Sequence, residues 1–148
     1  MGKNEITVFI DGTMNFFNTV GKVKAEVGSA YLLENLKESL FEYSGVIGIS
    51  GVYTGNVLFT APKSMMCELL EQYEGVKFRS ELLLDLVGEI ANTISGNARE
   101  HLGNNFNISV PTVSRGKVGD IKTADGLQTY CVPIAWKGRY ANLILALR

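Results

Sequence analysis

The stretch Glu81–Leu102, ELLLDLVGEIANTISGNAREHL, constrains what this chain can fold into more than any other. Leu83, Val87, Ile90, Ile94, Ala98 and Leu102 recur at steps of three and four, which makes an apolar stripe along a helix. Asp85, Glu89, Asn92, Gly96 and Arg99 recur in the same way and make a polar stripe. Between the two lies a seam of small residues, Gly88, Ala91, Ser95 and Ala98. A glycine inside a helix costs about 1 kcal/mol relative to alanine, so the pair of glycines needs compensation. The expected compensation is a second helix lying close against the seam. Glu89 and Asn92 are neighbours on the polar face, an anionic acceptor beside a neutral amide, and are the candidate site for chemistry.

A second amphipathic helix is expected over Thr7–Gly21, with Gly21 as its C-cap. Phe9, Thr13, Phe16 and Val20 share one face. Asp11, Asn15 and Asn18 share another and repeat the intervals that separate Asp85, Glu89 and Asn92. This reads as a weak internal repeat with asparagine in the place of Glu89. Lys22–Val27 alternates like a half-buried strand, and Glu38–Ser44 leans towards a strand. Gly45–Tyr53 and Val57–Ala61, joined through Thr54-Gly55-Asn56, form the clearest hairpin. A short helix follows over Pro62–Tyr73, with Met66, Leu69 and Leu70 inward and Gly75 closing it.

Beyond the long helix, Phe106–Val110 and Pro111–Arg115 read as extended pieces at a sheet edge, and Gly116–Gly126 as loop or weak strand. Leu127–Ala135 and Arg139–Leu147 form a second hairpin turning at Trp136-Lys137-Gly138, where Trp136 is a capping aromatic or a contact residue. Each half is thus a helix followed by antiparallel strands. The expected fold is α+β: an antiparallel sheet with two long helices on one face, related by a pseudo-twofold axis that lays them antiparallel, seam to seam, with both polar faces outward.

Residues 1–148 are read as one domain. With 14 Lys and Arg against 15 Asp and Glu, the net charge of -1 supplies no basic field for nucleic acid and no polybasic membrane patch. Cys67, Cys131 and His101 have no metal-ligand spacing, and the two thiols are expected to be packed rather than bridged. Neither a signal segment nor a membrane-length apolar run is seen, so a cytoplasmic protein is expected. The glycine-rich GVIGISGVYTG lacks the Lys-Ser/Thr ending of a phosphate loop.

VGEIANTISGNAREHL followed by FNISVPTVSRG, with a hairpin ending the chain, resembles the CheX family of chemotaxis phosphatases, relatives of CheC and FliY. The resemblance covers essentially the full length and centres on Asp85-x-x-x-Glu89-x-x-Asn92. It implies a response-regulator phosphatase acting on the aspartyl phosphate of a CheY-type receiver, with Mg²⁺ and a lysine supplied by that partner and no cofactor in this chain. Asn92 would then hold the attacking water, since an amide can do so without charge near a phosphate. Glu89 would pair with the partner's lysine. Asp85 is expected to be simply solvated, and Asp11, Asn15 and Asn18 to mark a vestigial site. The resemblance also implies a homodimer joined through sheet edges, with the C-terminal strands available for it. A non-catalytic adaptor using the same helix face is the alternative.

Overall fold

The computed structural model describes residues 3–20, 23–75, 79–116 and 128–147. Helix α1 runs Lys3–Val20, then come β1 (Glu26–Val27), β2 (Tyr31–Leu32), a 3-10 turn at Lys37–Ser39, β3 (Tyr43–Gly51) and β4 (Gly55–Ala61). Helix α2 (Lys63–Glu74) and the long α3 (Ser80–Leu102) follow, and the chain ends in β5 (Phe106–Ile108), β6 (Thr112–Arg115), β7 (Gln128–Trp136) and β8 (Arg139–Leu147). All strand pairs are antiparallel. The spatial order is β1-β7-β8-β4-β3-β5, with β2 also on β7 and β6 also on β3.

Strand alternation divides the sheet into two faces. On the inner face Phe59 pairs with Leu143, and Leu143 with Val132; all three are fully buried beneath the helices. Leu83, Val87, Ile90, Ile94 and Ala98 of α3 bury against this face, as their spacing predicts. Phe9, Thr13, Phe16 and Val20 do the same from α1. The two long helices are antiparallel: a Cβ on Gly12 would stand 3.1 Å from the Cα of Ile94, and the Asn97 amide donates to the carbonyl of Val8 at 3.0 Å.

The small seam of α3 does something other than expected. A Cβ on Gly45 of β3 would meet Ala91 at 2.7 Å, and Gly88 lies against Val113 of β6, so these small residues let α3 settle onto strands. The glycine that lets the helices approach is Gly12, from α1. Asn97 is likewise a helix-to-helix clamp.

Other elements shift from their expected places for identifiable reasons. Helix α1 begins at Lys3, a turn before Thr7; its C-cap at Gly21 falls outside the described residues, as do Lys22, residues 117–126 and Leu127. Pro62 caps α2 in an extended conformation instead of entering the first turn, while Gly75 closes the helix as read. Of the described residues of the first expected strand, Glu26 and Val27 join the sheet. Glu38–Ser44 is not a strand until Tyr43, because the segment crosses the sheet instead of lying in it. Its Leu33, Leu36 and Leu40 cover a second apolar row, Leu58, Cys131 and Ile144, on the outer face.

Trp136 is not at a turn tip. Lys137 (φ 48°) and Gly138 (φ 73°) alone form a tight two-residue turn of left-handed backbone. Trp136 is therefore the last residue of β7, 2 % exposed, with its indole N–H donating to Val23 at 3.1 Å and its ring 6.0 Å from Phe17. The C-terminal strands are not free edges either: β8 lies between β7 and β4, and β1 and β2 cover β7. Among the described residues the open borders are β1–β2 on one side and β5–β6 on the other.

Candidate functional site

Helix α3 presents Asp85, Glu89 and Asn92 to solvent, all exposed, on the side opposite its buried stripe. The i, i+3 spacing sets the Cβ atoms of Glu89 and Asn92 about 5–6 Å apart. Their backbone is held by the helix itself, with Thr93 Oγ1 donating to the Glu89 carbonyl at 3.0 Å and Ser95 Oγ to the Asn92 carbonyl at 3.2 Å. Neither side chain is taken up by an internal hydrogen bond or ion pair among the described residues, so both are free to meet a partner.

The three residues line a groove of about 630 Å³ together with Tyr73, Leu84, Gly88 and Val113. Its walls come from three separate elements: Tyr73 from α2, Val113 from β6, and the rest from α3. Sequence reasoning missed Tyr73, Leu84 and Val113. Leu84 carried a faint signal, one turn before Gly88; Tyr73 and Val113 carried none, because only chain packing brings them there. The groove pairs a polar rim with apolar walls, and Tyr73 and Val113 are each 40 % exposed. It holds two carboxylates, an amide and the Tyr73 side chain. Such a set can orient water and bind a cation.

The repeat on α1 lies elsewhere. Asp11, Asn15 and Asn18 are exposed and line a separate groove of about 330 Å³ with Val8, Met14, Asn97 and His101. His101 thus stands nearer this second groove than Glu89, and its Nδ1 lies 2.9 Å from the carbonyl of Asn97. Arg99 leaves the polar stripe to donate to the carbonyls of Ile108 (3.3 Å) and Ser109 (2.9 Å), tying β5 to the end of α3. Among the described residues no cluster of His, Cys, Asp or Glu has metal-binding geometry, and no helix is long and apolar enough to cross a membrane. Cys67 and Cys131 are free thiols.

An antiparallel α+β sheet backed by two antiparallel helices is the CheC-like fold. The match to the chemotaxis phosphatase CheX model spans residues 43–135, which is more than half of the chain and includes all of α3. The chain belongs to the CheX family. No curated protein matches the sequence. Among solved structures, a CheC-like superfamily protein from Shewanella sp. PV-4 is 24% identical, with 100% of this chain and 99% of that one covered and a TM-score of 0.86. CheX from Desulfovibrio desulfuricans is 22% identical, with 98% and 99% covered and a TM-score of 0.82. The CheX of a CheX–CheY–BeF3–Mg²⁺ complex from Borrelia burgdorferi is 19% identical, with 97% of each chain covered and a TM-score of 0.78. At these identities the likeness is one of fold.

Proposed function

We propose that this protein hydrolyses the aspartyl phosphate of a CheY-type receiver domain, with Asn92 and Glu89 of α3 as its working residues. One observation carries the reading. Glu89 and Asn92 project side by side into an open groove, on a helix that lies within the region matched to the chemotaxis phosphatase family. The Borrelia relative bound to CheY with BeF3 and Mg²⁺, a stand-in for the phosphorylated form, supplies the class of partner.

The chemistry asks little of the phosphatase chain. An acyl phosphate hydrolyses when water attacks phosphorus in line with the departing carboxylate, and the P–O bond to the aspartate breaks. Inorganic phosphate leaves and the receiver's carboxylate is restored. Most of the enzymatic gain comes from holding the water in place and stabilising the equatorial oxygens. Mg²⁺ and a lysine on the receiver would serve the oxygens. The amide of Asn92 would accept a hydrogen bond from the water and donate one to the phosphoryl group, with no negative charge added. Glu89 beside the phosphate would repel it, so its place is on the receiver's lysine, fixing the register of docking. Asp85, one turn back on the rim, remains a solvated carboxylate in this reading. No cofactor of this chain enters. A homodimer, where one forms through the sheet, would join the β1–β2 or β5–β6 border.

Phosphate release from a phosphorylated CheY-type receiver, measured beside Asn92→Ala and Glu89→Lys, is the test. Asn92→Ala is expected to lower kcat about 100-fold, the scale of losing one positioned hydrogen-bonding group. Glu89→Lys is expected to weaken receiver binding at least tenfold, roughly, through like-charge contact with lysine. An Asn92→Ala protein as active as wild type would remove the catalytic assignment. Receiver binding with no acceleration by wild type would make the protein an adaptor.

A further inference from the structure

Of the glycines of α3, Gly96 is left unexplained by packing and Gly88 is explained only by one side-chain methyl. Gly88 and Gly96 stand one turn before and one turn after Asn92, so the three form a single row at i, i+4 spacing. Gly12 shows what a packing glycine looks like in this fold. Its added Cβ would press on the Cα and carbonyl of Ile94, at 3.1 and 3.3 Å, and neither atom can retreat. A Cβ on Gly96, by contrast, would meet nothing within 4 Å. A Cβ on Gly88 would meet only the Cγ1 methyl of Val113 at 3.3 Å, the tip of a side chain that is 40 % exposed on an edge strand. Glycine is a poor helix former, so α3 gives up stability at Gly96 for no contact at all, and at Gly88 for one with a single side-chain methyl.

What the two positions share is Asn92 between them. Along its row the amide rises from bare backbone on either side. A leucine, lysine or glutamate in either place would stand as tall as Asn92 and hold an approaching surface off by its own length. Alignment in phosphoryl transfer is sensitive at about the 1 Å scale. We infer that Gly88 and Gly96 are specificity-determining residues of the Glu89–Asn92 site. They keep the helix bare on both sides of Asn92, so that a phosphorylated receiver domain closes onto the amide. This rests on the receiver reading given above; the glycines themselves touch no reacting atom.

The experiment compares wild type with Gly96→Ala, Gly96→Leu and Gly88→Leu. Tm is measured for each, with KM and kcat for phosphate release from a CheY-type receiver and affinity for the beryllofluoride–Mg²⁺ form of that receiver. Gly96→Ala is expected to raise Tm by roughly 3 °C, because alanine is the better helix former. Both leucine variants are expected to raise KM and Kd about tenfold or more, an effect that outweighs any fall in kcat. Because Gly96 has open space around it, Gly96→Leu separates docking from folding even where Gly88→Leu is disturbed by Val113. Wild-type KM and Kd in Gly96→Leu overturn the inference, and so does a fall in Tm for Gly96→Ala, which would make the glycine structural. A wild-type protein that neither binds nor dephosphorylates the receiver removes the receiver reading itself, and this inference with it.

Discussion

At the scale of single residues, Cys131 shows how burial governs chemistry. Its thiol is fully buried at the end of the outer row, beside Ile144, and burial pushes its pKa above the ordinary 9.0; the hydrogen bond with Tyr31 pulls the other way. A group whose pKa is raised on folding holds protons more tightly in the native state. Its contribution is fully present below the unfolded value and is lost as pH rises through the folded one. Stability is therefore expected to fall above about pH 9, and the alkaline limb to flatten in Cys131→Ala. Urea unfolding at intervals from pH 7 to 10.5 would check this, and equal slopes in the two proteins would refute the assignment. The same burial makes Cys131 a poor nucleophile, as its packed, unpaired character in the sequence anticipates. Glu89 and Asn92 are the opposite case. Their value to a partner depends on staying exposed and uncommitted.

At the scale of elements, the α1–α3 junction positions the site. Gly12 and Asn97 fix the distance between the helices, one by lacking a side chain and the other by donating to Val8. Gly12→Ala would drive a methyl against main-chain atoms of Ile94, so the helices must part. A loss of about 1–3 kcal/mol is expected, the usual cost of overpacking, despite alanine's better helix propensity. Thermal unfolding of Gly12→Ala beside Gly96→Ala tests it, since the two identical substitutions are expected to shift Tm in opposite directions. A gain in stability for both would mean that the junction is looser than its distances imply. The repeat on α1 also takes its meaning at this scale. Its polar face copies that of α3, yet it opens on a different groove with His101 and Asn97 for neighbours.

For the whole molecule, the outer face of the sheet is the part that depends on long-range closure. The segment after β2 crosses that face and is held at intervals. Leu33 donates to Thr129 at 2.8 Å, Asn142 to the carbonyl of Ser39 at 2.9 Å, and the Phe41 N–H to Thr60 Oγ1 at 2.8 Å. Thr60→Val keeps the shape but leaves both the Phe41 N–H and the buried Ser44 hydroxyl without their acceptor. About 1–2 kcal/mol of stability should be lost. Receiver binding should be unchanged, because the crossing lies on the far side of the sheet from α3. Denaturant unfolding and a receiver titration read these separately, and a fully stable variant would show that the Thr60 hydroxyl does not help to hold the crossing.

The local code was legible wherever periodicity and chemistry agreed. The stripe of α3 specified both its buried face and the exposed Glu89–Asn92 pair, since 3.6-residue periodicity leaves those residues no other side. The two hairpins, the edge character of the segments around Pro111, and the α+β class followed from turn residues and strand spacing in the same way. Other features were decided only by tertiary contact. Gly88 and Ala91 of α3 meet strands because Val113 and Gly45 arrive from distant segments. Leu33, Leu36 and Leu40 cross the sheet because a second apolar row awaits them on its outer face. Trp136 is interior because the turn after it is one residue tighter than read. β8 is central, not free, because β4 pairs with it across some eighty residues of sequence. The groove belongs to both levels: α3 sets its polar rim through local spacing, while Tyr73 and Val113 reach its walls through contacts that no local interval encodes.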